Sequence, residues 1–217
     1  MRAPFTVEQF FHVMRDYNVT VWPMQVVLYA VALVAIVVAV RGTTPGAARA
    51  VSIILLLLWL WVGAVYHFMF FRTINPGATM FAALFVVQAA LFGWFGVWRT
   101  QLTFCPRSDW RGVIGGLLVL YALVLYPLVG YAVGQRYPEM PTFGLPCPTT
   151  IFTIGLLFWA EPPMPKLLLV IPILWAALGA PAAFQFGVRE DIGLIVAGLL
   201  AIVLLVHRTT QRAVNLV

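Results

Sequence analysis

From Met24 to Val40 the chain reads MQVVLYAVALVAIVVAV, with no charged side chain and no alternation of polar and apolar residues. A segment like this cannot face water along its length. It must lie in a core or in lipid, and the rest of the chain decides which. The sequence is 63% hydrophobic and only 9% charged, against about 25% charged in an ordinary soluble domain. So few charges cannot build a water-facing surface, so the apolar excess is expected to face a bilayer. Lipid offers no partners to backbone amides, which leaves helices or a closed barrel. Long unbroken apolar runs select helices.

A helix needs about 20 apolar residues to cross about 30 Å of hydrocarbon. The sequence is expected to form an all-α, polytopic transmembrane bundle of seven spans in a single membrane domain over 1–217. The spans fall near Trp22–Val40, Ala50–Phe71, Ala78–Trp98, Gly112–Gly134, Phe143–Ala160, Lys166–Phe186 and Asp191–His207. Turn formers and charges separate them, in RGTTPGAAR, RTINPG, RTQLTFCPRSDWR, EPPMPK and GVRED. The fifth span is short. Its unbroken part, Thr149 to Ala160, crosses only if the proline-rich stretch from Phe143 already lies at membrane depth; otherwise it is re-entrant and the spans number six.

The cations favour seven. Seven spans put Arg41, Arg49, Arg99, Arg107, Arg111, Lys166, Arg208 and Arg212 on one side, against Arg2, Arg15, Arg72, Arg136 and Arg189 on the other. A re-entrant segment nearly erases that bias. The positive-inside rule then places the N terminus outside and the C terminus in the cytoplasm. Residues 1–20 are expected to form an interfacial amphipathic helix. Thr6 and Gln9 fit a capping box, Val7, Phe10, Phe11, Met14 and Tyr17 share one face, and Glu8, His12, Arg15 and Asp16 the other. The same stretch carries acids and no compact apolar core, so no secretory signal is expected there. Small residues at four-residue spacing (Gly112/Gly116, Gly130/Gly134, Gly179/Ala183) suit close helix approach.

Under this topology the unusual polar residues gather at the outer face. The candidate ligand-binding residues are Tyr66, His67, Asn75, Cys147, Thr149, Thr150, Glu190 and Asp191. An intramembrane histidine is expensive unless partnered; it serves as a ligand, as a proton carrier or as a satisfied structural group. Cys147, between Pro146 and Pro148, is either a soft-metal ligand with His67 or a small buried hydrophobe. Thr149 and Thr150 follow Pro148 as a helix N-terminus would, where N–H groups attract anions. Glu190 and Asp191 suit the start of the last helix.

Several functions are excluded. The net charge of +6 is spread thinly, so nucleic acid is not a partner. The one lysine, Lys166, sits at a span end, where no retinal Schiff base could form. There is no Cys-x-x-Cys pair, phosphate-binding loop or His-Glu-x-x-His motif. No particular cofactor is indicated.

The stretches FTVEQFF, YHFMFFRTINP, PTFGLPCPTTIFT and FGVREDIG carry a resemblance over nearly the whole chain. They resemble an uncharacterised family of bacterial polytopic inner-membrane proteins, a domain of unknown function whose members are sometimes loosely labelled permeases. The resemblance implies a multi-pass bacterial inner-membrane protein and brings no substrate. Three readings follow in order. The first is a small transporter or permease for an ion or small solute. The second is an accessory subunit of a larger membrane complex, with membrane-protein partners or copies of itself. The third is a metal-dependent membrane hydrolase with an outer-facing site. A non-enzyme is favoured.

Overall fold

The computed structural model describes residues 4–42 and 44–214, without the side chains of residues 180–183 and 208–214. Arg2, and the side chains of Ala183, Arg208 and Arg212, therefore lie outside the described part. Nine α-helices order the described chain: α1 Val7–Thr20, α2 Met24–Arg41, α3 Pro45–Trp61, α4 Ala78–Phe92, α5 Trp110–Leu120, α6 Tyr126–Ala132, α7 Pro146–Trp159, α8 Leu167–Gln185 and α9 Ile192–Val214. Among the described residues there is no strand, only isolated bridges at Phe104–Ala160 and Phe143–Leu145.

Among the described residues, five helical segments are long and apolar enough to cross a membrane: Met24–Arg41, Pro45–Thr73, Ala78–Trp98, Trp110–Ala132 and Arg189–His207. Two shorter apolar helices, Pro146–Trp159 and Leu167–Gly179, accompany them. The polarity is that of a protein in lipid. On α2 the exposed side chains include Val26, Val27, Leu33, Val34, Val37 and Val40, whereas the buried set of the protein includes Asn18, Gln25, Ser52, Gln88 and Thr153. Apolar groups face out and polar groups are kept inside, where partners can satisfy them.

Three of the long segments depart from α-geometry. Val62–Phe70 continues α3 as a π-helical stretch, Gly93–Trp98 continues α4, and Tyr121–Leu125 joins α5 to α6. The last precedes Pro127, whose ring has no N–H to continue the ladder and clashes with the carbonyl four residues back; a widened turn relieves this. Near the first, Gly63 brings α3 against α4. A Cβ there would lie 3.0 Å from the Ala82 carbonyl oxygen and 3.1 Å from the Phe85 Cβ.

α7 is the axis of the fold. It packs against α3, α5, α8, α9 and the π-helical turn before α6, and every residue in it except Cys147 is buried. At 14 residues it is about 21 Å long. It begins earlier than the run from Thr149 suggests. Leu145 is its N-cap residue, and the Thr149 N–H already donates to the Leu145 carbonyl at 3.2 Å. Pro146 and Pro148 fit because the first turn's N–H groups have no helical acceptor. Thr149 and Thr150 are thus interior to the helix rather than its cap.

The two ends of α7 are tied differently. At the N-terminal end, residues 137–145 lie against α1. The Asn18 side-chain amide donates to the carbonyls of Pro138 (2.7 Å) and Met140 (2.9 Å), and its oxygen accepts from the Thr142 hydroxyl (2.8 Å). Trp61 Nε1–H donates to the Tyr17 hydroxyl (2.8 Å), which donates to the Gly144 carbonyl (3.2 Å). Burial pushes the Tyr17 phenol up from its ordinary range, so it stays a neutral donor. Gly144 has φ +96, and a Cβ there would run into Leu28 Cδ1, so only glycine fits. At the opposite end, Cys105 N–H donates to the Trp159 carbonyl and Glu161 N–H to the Thr103 carbonyl, both at 2.8 Å. That places the end of α7 beside the 99–109 loop.

α1 has the expected capping box between Thr6 and Gln9. Its buried residues are Phe10, Val13, Met14, Tyr17 and Asn18. Val7, expected on that face, is exposed.

Candidate functional site

A cavity of about 210 Å³ lies under α1 at the N-terminal end of α7. Three chain segments bring its chemistry together. The π-helical stretch after α3 supplies Tyr66 and His67, the first turn of α7 supplies Cys147, and the short 3-10 turn Arg189–Asp191 before α9 supplies Asp191. α8 adds Trp175, Leu178 and Gly179. Cys147 is the one residue of α7 that is not buried, and the cavity is what it faces.

The roof is aromatic. Phe10 of α1 stacks on Phe186 with ring centres 4.7 Å apart, and Phe5 stacks on Phe186 at 5.3 Å and meets Phe71 edge-on at 5.4 Å. The His67 ring is packed among Phe85 (4.8 Å), Trp175 (5.1 Å) and Phe81 (5.8 Å).

The polar groups at this site differ in how they are satisfied. The Tyr126 hydroxyl donates to Asp191 Oδ1 at 2.6 Å, and the Cys147 thiol is in hydrogen-bonding contact with the same carboxyl. Asp191 is 2% exposed, and none of the ion pairs among the described residues involves it. His67 is 0% exposed, and neither ring nitrogen has a protein partner. The Trp175 indole N–H is buried with no nitrogen or oxygen partner, and only the Cys147 sulfur lies beside it. A buried polar group left unpaired costs about 1–3 kcal/mol, so this is an expensive corner to keep.

Of the residues singled out from sequence, Tyr66, His67, Asn75, Cys147 and Asp191 line this one cavity. Asn75 also serves its own turn, its Oδ1 accepting from Gly77 N–H at 3.0 Å. Thr149, Thr150 and Glu190 do not line it. The two threonines are fully buried with unpartnered hydroxyl oxygens, one and two residues past Pro148. Glu190 faces α6 and the segment after it. Its Oε2 accepts a long 3.5 Å contact from Gln135, and its backbone carbonyl accepts from the Tyr121 hydroxyl at 2.8 Å. Asp191 is not a helix cap, since its carboxyl is turned to Tyr126. Among the described residues no group of three or more His, Cys, Asp or Glu side chains is placed to hold a metal ion. His67 and Cys147 share the cavity without the further ligands a metal would need.

Trp175 escapes a sequence reading, since it looks like membrane belt or packing, whereas Tyr126 is legible only as a tyrosine in the outer half of the fourth span. Spacing gave a partial signal for the first: Trp175 and Gly179 are one turn apart on α8, and the absent side chain at Gly179 leaves Trp175 Nε1 and Cys147 Sγ within 3.8 and 4.0 Å of where a Cβ would stand.

This arrangement defines a class: an all-helical, multi-pass membrane protein with a partly polar cavity among its helices. Within that class the chain belongs to a family of unknown function, DUF6064, whose model matches residues 7–215. No curated protein and no solved structure matches the chain.

Proposed function

We propose that the chain is a small permease-type membrane protein that takes a small solute into the cavity under α1 from the extracytoplasmic side. The observation that carries this reading is the contrast within the cavity. Its walls are rich in aromatic rings, yet it holds a carboxyl with no basic ion-pair partner among the described residues and a histidine, His67, neither of whose nitrogens has a protein partner. A concave, mostly apolar pocket with a few convergent polar groups is what small-ligand sites are made of.

In this reading α7 and α8 complete a seven-span bundle, α1 lies along the outer membrane surface, and the C terminus is cytoplasmic. Support comes from the ends of α7. One is bound to α1 and the other to the arginine-bearing 99–109 loop, so α7 runs the depth of the bundle although it is short. Polar sites at the ends of short or proline-interrupted helices are a transporter habit. The bacterial inner membrane is the proposed location.

The test is thermal stabilisation of the purified protein by a panel of small solutes and metal ions, followed by uptake into liposomes. Leu178→Trp, at a half-exposed position on the cavity wall, fills the space. The expected result is a solute that stabilises and enters with the wild type and does neither with Leu178→Trp. Stabilisation and uptake that persist in Leu178→Trp would place the site elsewhere.

A further inference from the structure

We infer that the ligand of this cavity is a small ammonium carrying a hydroxyl, an amino alcohol or its N-methylated form, with Asp191 as its counter-charge. This rests on the reading of the cavity as a ligand site and names what that site selects.

Charge is the first ground. Among the described residues that line the cavity, Asp191 is the one that is formally charged, and none is a lysine or arginine. Its neighbour Glu190 is buried as well. Two adjacent buried acids, with the side chain of Arg189 before them exposed rather than buried with them, repel an anion. A buried charge is kept where something pairs with it.

The wall is the second ground. Phe10, Phe71, Phe81, Tyr126, Trp175 and Phe186 line the cavity. Aromatic rings attract cations through their quadrupoles, and rings gathered around a small space are how quaternary ammonium groups are recognised. Metal cations fit poorly, since no ligand cluster is present among the described residues.

The unpartnered polar atoms are the third ground. A bare ammonium has donors alone, for Asp191 and an imidazole nitrogen, and offers the Trp175 N–H no oxygen acceptor. Trp175 Nε1–H is only a donor, and a neutral imidazole keeps one donor and one acceptor nitrogen. A hydroxyl on the ligand answers both, accepting from Trp175 and donating to His67, whose nitrogens are otherwise free. Size agrees. A cavity of 150 Å³ holds benzene, so about 210 Å³ takes about eight heavy atoms, which suits a two- or three-carbon amino alcohol with its methyl groups.

The experiment is equilibrium binding of choline, tetramethylammonium and the neutral choline isostere 3,3-dimethylbutan-1-ol to the purified full chain. Choline is expected to bind at least about tenfold more tightly than its isostere. Asp191→Asn should bring that ratio close to one while the isostere still binds. Trp175→Phe, which leaves the carboxyl in place, should weaken tetramethylammonium slightly, through the poorer ring, and choline several-fold more, through the lost N–H as well. If choline and its isostere bind equally to the wild type, the ammonium assignment is wrong and the cavity reading survives. If none of the three binds, the cavity reading falls with it. The same group could arrive free or on a phospholipid. Competition against choline in nanodiscs of phosphatidylcholine, but not of phosphatidylglycerol, would make the source a lipid headgroup. Equal choline binding in both would make it a free solute.

Discussion

The two halves of α7 are built by opposite rules. In the C-terminal half every polar group that matters has been given a partner. Trp59 Nε1–H donates to the Thr153 hydroxyl (2.9 Å), which donates to the Thr149 carbonyl (2.8 Å), and Trp159 Nε1–H donates to the Gly112 carbonyl (3.0 Å). Helices meet there with almost nothing between them: a Cβ on Gly155 would lie 2.9 Å from the Gly115 carbonyl oxygen. At the N-terminal end the same helix opens on a cavity whose histidine is buried and unpartnered and whose indole N–H has only a thiol beside it. One end is closed by satisfied bonds and close packing. The other keeps polar groups unspent, and that difference separates scaffold from site.

Substitutions can break the comparison. The largest effect is expected at the seam between α5 and α7. Gly155→Leu drives a side chain into Gly115 and Val119, and overpacking of this kind costs about 3 kcal/mol. It should appear as a large fall in Tm or as loss of monodisperse protein in detergent. Next is Trp59→Phe, which removes the donor to Thr153 from a fully buried position. A loss of about 1–2 kcal/mol is expected, visible as a clear drop in Tm. At the cavity the sign should change. His67→Leu breaks no protein hydrogen bond and removes two unpaired polar atoms, so Tm should hold or rise while solute binding is lost. A fall in Tm as large as that of Trp59→Phe would mean His67 is scaffold, and the contrast between the two ends would collapse.

The smallest effect lies outside the bundle. Asp109 caps α5, its Oδ1 accepting from the N–H groups of Arg111 (2.9 Å) and Gly112 (3.1 Å). The bond from Gly112, with help from Arg111, holds its carboxyl below the usual range. The cap contributes fully above the ordinary carboxylate pKa and is lost as pH falls through the depressed folded value. Asp109→Ala should therefore lower Tm slightly at neutral pH and not at all in strong acid, as thermal melts across pH would show.

How much of this the sequence carried depends on the kind of signal. The five long apolar segments were legible because each is a local count of apolar residues, and the breaks between them fell where Gly, Pro and charges cluster. The capping box on α1 was legible for the same reason. The gathering of Tyr66, His67, Asn75, Cys147 and Asp191 was expected only as a shared outer face, which topology supplies. Their meeting at one cavity depends on how helices rotate about their axes, and no local pattern states that. The same gap hid the α5–α7 seam. Four-residue spacing pointed to Gly112 and Gly116, yet it is Gly115 that meets Gly155, because the partner helix sets which face is used. Thr149 and Thr150 were displaced from a cap into the helix by two prolines that start it earlier than a break in apolar residues would imply.

The central claim is that the cavity end faces outward and is open, while the opposite end lies on the cytoplasmic side. Two free cysteines mark the two ends: Cys147 in the cavity and Cys105 beside the end of α7. Each can be kept alone, in Cys105→Ser and Cys147→Ala chains, and treated in intact cells with a small membrane-impermeant thiol reagent. Cys147 should be modified from outside, and more slowly when the cavity is filled by Leu178→Trp, while Cys105 should react only after the membrane is permeabilised. Labelling of Cys105 from outside, with Cys147 protected until permeabilisation, would invert the protein and contradict the account.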